Sequence, residues 1–302
     1  MAYLKLEITI TEDQFPLLEQ ALSRAGALSV SAMDAADQPI LEPKPGEAPL
    51  WQNLILSALF QSNKNRSKIL NKIKPFLLQD QDQQMVWTEL PEQAWEKAWL
   101  QYYQPIHFKN KLWIGSTEHT PPNGTTPKLL LDPGLAFGTG SHPTTYLCLE
   151  WLSEQNLQGQ ILLDYGCGSG ILMLAALQMG AKSATGVDLD PQALTATADN
   201  AKRNQINQGF DLYLPENLQK NSRFNIVIAN ILANPLIELS SFLCSLLTKD
   251  GKIILSGLLV DQAEHVKQAY AAHIIWQHQY EKEGWVCLVG IINARSTHTH
   301  TH

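Results

Sequence analysis

The segment Leu162–Gly170 constrains the fold of this chain more than any other. It reads LLDYGCGSG, so an apolar run leads into three glycines at alternate positions, and the apolar segment Ile171–Met179 follows. Glycine reaches backbone conformations with positive φ, and it lets a ligand approach the main chain without a Cβ in between. The order of strand, glycine loop and helix is typical of an α/β fold that binds a nucleoside cofactor. The alternative interpretation is an ordinary tight turn.

The spacing of these glycines favours one class of cofactor. A dinucleotide fingerprint reads G-x-G-x-x-G, whereas Gly166, Gly168 and Gly170 form G-x-G-x-G, with Asp164 two residues ahead. S-adenosylmethionine (SAM) has no phosphate and therefore needs no helix N-terminus as an anion cradle. Asp164 can instead face the cationic methionine part of SAM, directly or through water. The spacing thus predicts a SAM site and disfavours a nicotinamide oxidoreductase.

A second acidic residue follows the next predicted strand. Asp188 ends the segment 184–188, about twenty residues beyond the glycines, where an acid can accept both ribose hydroxyls. The neighbouring pair Asp190-Pro191 fits the start of a helix, with the aspartate as N-cap and the proline at the first helical position. We therefore predict that Asp188 binds ribose and that Asp190 is structural.

From residue 128 onward, short apolar strands alternate with helices, which predicts a mostly parallel sheet covered on both faces. The last two strands flank Glu283-Gly284 and are expected to form an antiparallel hairpin at one edge. The strands are predicted near residues 161–165, 184–188, 211–214, 225–230, 253–256, 274–279 and 286–292. The helices are predicted near residues 142–155, 170–180, 191–204, 233–248 and 261–272.

The first ninety residues or so predict a smaller α+β domain. Their pattern indicates the order β-α-β-β-α-β, which is that of a ferredoxin-like sandwich, a module that often binds partners. Aromatic residues recur at helical spacing in Pro91–Tyr103, which predicts a connecting helix. A strand is also expected at Lys111–Gly115. We therefore expect a small domain at residues 1–90, a connector at 91–127 and the cofactor domain at 128–293, followed at 294–302 by a His-Thr tail interpreted as a tag.

Composition narrows the classes of function. The net charge of −7 is spread along the chain without the basic stripe typical of nucleic-acid binders, so little direct contact with nucleic acid is expected. No apolar run approaches the roughly 20 residues of a membrane span, and no secretory signal is visible. The 4 cysteines form no C-x-x-C pair, and the histidines before the tail lack ligand spacing. These patterns predict a cytoplasmic protein without disulfides, bound metal or membrane attachment.

Two further segments are long and rare. Leu131–Thr145 reads LDPGLAFGTGSHPTT, and Asn230–Pro235 reads NILANP. Together with the glycine loop, they make nearly the whole chain resemble the bacterial ribosomal protein L11 methyltransferase (PrmA) family of class I SAM-dependent methyltransferases. The resemblance implies a Rossmann-like, seven-stranded methyltransferase domain and a small N-terminal domain that recognises the substrate. It also implies repeated methylation of lysine ε-amines of protein L11, with the N-terminal α-amine as a further candidate.

The resemblance also assigns residues by position. The family's cofactor contacts fall on Thr145, Gly166, Asp188 and Asn230. For Thr145 we favour a role in the site, whereas helix capping is the equally weighted alternative for Ser141 and Thr144. Gly138 and Thr139 belong to a loop that is expected to fold over the methionine end of SAM.

Two residues are candidates for catalysis. Phe137 is expected to form an apolar wall of the pocket. Asn230 stands where amino-group methyltransferases often carry an N-P-P-Y motif, and its carbonyl oxygen can accept a hydrogen bond from an incoming amine. The catalyst then supplies in-line geometry and a pocket that keeps the amine neutral.

The substrate leaves alternatives open. Methylation of RNA or of a small molecule suits the same fold, but the missing basic stripe and the missing prolines after Asn230 argue against RNA. A ribosome-binding module that SAM merely regulates is the alternative from another class, and an intact Asn230 and Phe137 argue against it. We expect a monomer that modifies protein L11, either free or on the large ribosomal subunit.

Overall fold

The computed structural model describes residues 2–36, 50–78, 81–90, 104–108, 111–122, 127–131 and 140–293. The chain divides into two compact units, residues 1–98 and 99–302. The predicted connecting helix at 91–103, the tail at 294–302 and the loop residues Phe137, Gly138 and Thr139 lie outside the described residues. The functional boundaries at residues 90 and 127 stay predictions.

The N-terminal unit consists of β1 Tyr3–Thr11, α1 Phe15–Ala25, β2 Ser29–Asp34, β3 Asn53–Gln61, α2 Arg66–Ile73 and β4 Val86–Leu90. The strands form an antiparallel sheet in the order β2-β3-β1-β4, with the two helices on one face. Alternate residues of β1, such as Leu6 and Ile8, are buried against Leu18 and Leu22 of α1 because successive strand side chains point to opposite faces. The element order is the predicted one, and the ferredoxin-like class remains an interpretation of that order.

The C-terminal unit contains a seven-stranded sheet of the Rossmann-like type, as predicted. The sheet elements are β8 Ile161–Tyr165, β9 Ser183–Val187, β10 Phe210–Tyr213, β11 Phe224–Asn230, β12 Leu247–Leu259, β13 Ile274–Lys282 and β14 Trp285–Ile292. The strand order is β10-β9-β8-β11-β12-β14-β13. The first five strands pair in parallel, and β14 is antiparallel to both β12 and β13.

Helices cover both faces of this sheet. They are α3 Pro143–Glu154, α4 Ile171–Gln178, α5 Pro191–Arg203, α6 Ala233–Glu238, α7 Ser240–Ser245 and α8 Ala263–Tyr270. Leu162 of β8 lies in one core with Leu172 of α4, whereas the next residue, Leu163, lies in a second core with Leu236 of α6. Alternation along a central strand therefore builds two cores. Among the described helices, none is long and apolar enough to span a membrane.

The edge hairpin confirms the prediction made from Glu283-Gly284. These two residues join β13 to β14 with φ angles of 52° and 80°, and two consecutive positive φ angles are typical of a type I′ turn.

The structure departs from the predicted elements in three places. The helix expected at 233–248 is split into α6 and α7 at Leu239, where ψ is 1°, and the chain from Leu247 already belongs to β12. A three-stranded sheet, β5 Ile106–Phe108, β6 Leu112–Gly115 and β7 Lys128–Leu130, contains two strands that the sequence pattern did not indicate. Three-residue strands are too short to show a recognisable alternation.

Candidate active site

Three neighbouring strands bring the predicted residues to one edge of the sheet. The glycine loop follows β8, Asp188 follows β9, and Asn230 is the last residue of β11. Because β8 lies between β9 and β11 and all three run parallel, their carboxyl ends meet at the same edge. This is the edge where open α/β sheets bind ligands.

The glycine loop is a rigid turn that excludes side chains. Gly166, Gly168 and Gly170 have φ angles of 80°, 53° and 77°, which L-residues with a Cβ rarely adopt. The N–H groups of Gly166 and Cys167 both donate to the carbonyl of Val187, at 2.7 and 3.0 Å. A Cβ on Gly166 would also collide with the side chain of Ile231. The glycines are therefore required by the backbone conformation and by close packing, and the loop is tied to the neighbouring strand.

Asp188 is oriented by two backbone donors. Its Oδ2 accepts from the N–H of Gly168 at 2.8 Å, and its Oδ1 accepts from the N–H of Asp190 at 3.0 Å. Each carboxylate oxygen can accept a further hydrogen bond, and the side chain is half-buried. Asp190 caps α5 as predicted, since its Oδ1 accepts from the N–H of Gln192 at 2.8 Å.

Asp164 is almost fully buried, with an exposed fraction of 1%. Its Oδ2 accepts from the N–H of Met173 in the first turn of α4 at 3.2 Å, whereas its Oδ1 has no hydrogen-bond partner within the described parts of the chain. Burial raises the pKa of Asp164 from 3.8 to about 7, against the lowering effect of the Met173 N–H, and the nearby charge of Asp188 raises it further. A buried carboxylate with an unpaired oxygen is costly, so a cation at this oxygen would be stabilising.

Thr145 and Asn230 meet although they are distant in sequence. The Asn230 Nδ2 donates to Thr145 Oγ1 at 3.2 Å, which joins the end of β11 to the first turn of α3. Thr145 is fully buried. Because this bond uses the amide nitrogen of Asn230, the amide oxygen is the atom that can accept from another group.

The cap of α3 differs from both candidates considered in the sequence. His142, rather than Ser141 or Thr144, is the N-cap, and its Nδ1 accepts from the N–H of Thr144 at 3.4 Å. The same nitrogen lies 2.8 Å from Thr144 Oγ1. Burial lowers the pKa of His142, partly offset by the charge of Glu283, and this favours the neutral ring that can accept these bonds.

Sequence reasoning missed two residues that hold the glycine loop. Thr197 Oγ1 donates to the carbonyl of Gly168, and Asn200 Nδ2 donates to the carbonyl of Ser169, both at 2.9 Å. Both side chains lie on the buried stripe of α5, between Ala193 and Ala201. A polar residue on an otherwise apolar helix face could have indicated such a role, because buried polar groups require partners.

The model of the ribosomal protein L11 methyltransferase (PrmA) family matches residues 2–292. The chain belongs to this family. Ribosomal protein L11 methyltransferases of Pseudomonas aeruginosa and Azotobacter vinelandii are each 45% identical to it, over 96% of this chain and 98% and 99% of those proteins. A solved structure of ribosomal protein L11 methylase from Lactobacillus delbrueckii subsp. bulgaricus is 31% identical, with a TM-score of 0.55, over 62% of this chain and 98% of that one.

Membership in the L11 methyltransferase family confirms the resemblance that Leu131–Thr145 and Asn230–Pro235 indicated. It also makes the chain a SAM-dependent methyltransferase.

Proposed function

We propose that this chain transfers methyl groups from SAM to amines of ribosomal protein L11, chiefly lysine ε-amines. The cofactor class and the substrate protein follow from the family to which the chain belongs. One observation supports the assignment of the site: the glycine loop, Asp188 and Asn230 lie together at the carboxyl ends of three adjacent parallel strands.

The residues present at this edge fit SAM. Asp188 would accept from the ribose hydroxyls, since backbone donors already orient both of its oxygens. Asp164 would face the cationic methionine part, directly or through water, with its buried Oδ1, which no other described residue pairs. The remaining candidates lie along the loop and at the end of β11: Gly166, Gly168, Gly170, Thr145 and Asn230. When bound, SAM supplies an electrophilic methyl group on a sulfonium.

The chain itself would supply orientation and a neutral amine. A free lysine amine has a pKa near 10.4 and is mostly protonated at neutral pH, so it must lose a proton before its lone pair can attack. Apolar surroundings disfavour the charged form, and Phe137 is the proposed apolar wall. The Asn230 Oδ1 would accept an N–H of the amine and align its lone pair with the methyl group. Orientation of this kind contributes up to roughly 7–11 kcal/mol of barrier reduction.

The loop that contains Gly138 and Thr139 is proposed to cover the methionine end of SAM. Residues 1–90 are proposed to recognise L11. The connector at residues 91–127 would let this domain present different amines of L11 to the methyl group of SAM. We further propose a cytoplasmic monomer that meets L11 free or on the large ribosomal subunit, with the N-terminal α-amine of L11 as an additional substrate.

RNA and small-molecule methylation are the alternative functions. One experiment separates them: incubation of the protein with labelled SAM and ribosomal subunits from cells that lack native L11 methylation. Mass spectrometry of the products should find methylated lysines on L11. Label in ribosomal RNA would show that the substrate is RNA and not protein L11. Absence of label from every component would contradict the proposed methyl transfer.

A further inference from the structure

Helix α5 directs two buried polar side chains at the glycine loop. The exposed fractions of Thr197 and Asn200 are 0% and 6%. Their donors reach two successive loop carbonyls, those of Gly168 and Ser169, at 2.9 Å each. A buried donor and acceptor that pair in this way are costly to separate, because the group left behind is unsatisfied.

Gly168 is held from two sides. Its carbonyl accepts from Thr197 Oγ1, and its N–H donates to Asp188 Oδ2 at 2.8 Å. The three residues therefore form a continuous hydrogen-bonded chain from the interior face of α5 to the carboxylate. Since Gly168 has a φ angle of 53°, its backbone can take many other conformations once one of these bonds is lost.

We propose that Thr197 is a positioning residue for SAM: its hydroxyl holds Gly168 in the conformation that aims the Asp188 carboxylate at the ribose. This inference rests on the proposed role of Asp188. In this arrangement Thr197 acts through the glycine loop and not by contact with SAM: its hydroxyl donates to the Gly168 carbonyl and also lies 3.7 Å from the Sγ of Cys167.

The two substituents on Thr197 Cβ have separate roles that mutation can separate. The hydroxyl donates to Gly168, whereas the methyl group Cγ2 occupies the space beside Gly170 in which a Cβ would collide. Thr197→Val keeps the branched shape and removes the donor. Thr197→Ser keeps the donor and removes the methyl group.

The test is calorimetric titration of SAM into the full-length variants. Loss of one hydrogen bond predicts a Kd about five- to tenfold higher for T197V, and a Kd within about twofold of the original for T197S. The matched control is Thr195→Val on the same helix, because Thr195 Oγ1 also donates to a backbone carbonyl, that of Pro191, at 3.0 Å but on the exposed side. T195V should leave the Kd unchanged.

A second readout reports on the ribose contact itself. S-adenosylhomocysteine and its 2′-deoxy analogue should differ less in affinity for T197V than for the original protein. The reason is that a misaligned Asp188 carboxylate forms a weaker hydrogen bond with the ribose 2′-hydroxyl, so the loss of that hydroxyl matters less. A purely structural role would weaken both ligands equally. In the Asp188→Asn background, T197V should add little further loss, since the group that it aligns is already altered.

The outcomes separate the inference from the function on which it rests. If D188N binds SAM as tightly as the original protein, the ribose role of Asp188 is wrong. If D188N binds SAM more weakly but T197V does not, Asp188 keeps its role and the positioning inference fails. The same conclusion follows if T197S loses as much SAM affinity as T197V. Should T197V not fold, the comparison of Thr197→Ala with T197S isolates the same hydroxyl, and equal SAM affinities there would overturn the inference.

Discussion

Asp164→Asn should make the ligand-free protein more stable at alkaline pH while it weakens SAM binding. The Asp164 carboxyl is buried, its Oδ1 has no hydrogen-bond partner in the described structure, and burial raises its pKa to about 7. In the unfolded chain the same group ionises near its usual value of 3.8. The folded protein therefore binds the proton more tightly, and ionisation of Asp164 favours unfolding.

The sign and size of the effect follow from this pKa difference. Between about pH 4 and pH 8 the folded state binds more protons than the unfolded state, so the contribution of Asp164 to the free energy of unfolding falls as pH rises and levels off above about pH 8. Each unit of pKa difference corresponds to about 1.4 kcal/mol, which gives a total of about 4 kcal/mol. From pH 5 to pH 8 the part that is lost amounts to about 3 kcal/mol.

The asparagine variant removes this pH dependence because an amide does not ionise. The amide oxygen of the asparagine can take the place of Asp164 Oδ2, which accepts from the N–H of Met173 at 3.2 Å. The amide N–H₂ group then lies where Oδ1 was, and it costs about 1–3 kcal/mol if it stays unpaired. The advantage of the variant over the original protein should therefore grow by about 3 kcal/mol between pH 5 and pH 8, whatever its starting value.

Urea denaturation without SAM at pH 5, 6, 7 and 8 measures this difference. Asp190→Asn is the matched control, because this carboxylate is exposed and an asparagine also caps a helix. A difference between D164N and the original protein that stays flat from pH 5 to pH 8 would refute the argument. In parallel titrations, SAM affinity of the original protein should fall as pH drops below about 7 and Asp164 takes up its proton.

Three further predictions test separate parts of the proposal. Asp188→Ala should raise the Kd for SAM at least about tenfold, since it removes a charged acceptor of two hydroxyls, and unchanged calorimetric affinity would contradict the ribose contact. Deletion of residues 1–90 should leave SAM binding intact and abolish methylation of L11, so full activity of the truncated enzyme would exclude the recognition role. Tyr270→Phe leaves the carbonyl of Leu236 without its 2.7 Å donor, and should lower the free energy of unfolding by about 1–2 kcal/mol without changing the Kd for SAM.

Much of the cofactor edge could be predicted because its signals are local in sequence. The order of strand, alternate glycines and helix around Gly166 lies within one short segment, and so does the Asp190-Pro191 helix start. The Glu283-Gly284 turn is equally local, since two residues with positive φ suffice to form it. The NILANP segment, which begins at the last residue of β11, is likewise a continuous stretch that indicates the family.

The contacts that shape the site are not local, and only the tertiary structure decided them. Asn230 and Thr145 meet because β11 ends where α3 begins, and no spacing along the chain encodes that contact. Thr197 donates to the carbonyl of Gly168, 29 residues earlier in the chain, because the buried side of α5 lies against the glycine loop. That the Oδ1 of Asp164 finds no hydrogen-bond partner among the described residues likewise follows from the surrounding core rather than from its neighbours in sequence. Patterns along a chain predict the secondary structure of a segment. The partners of buried polar groups depend instead on which strands and helices lie next to each other in the folded protein.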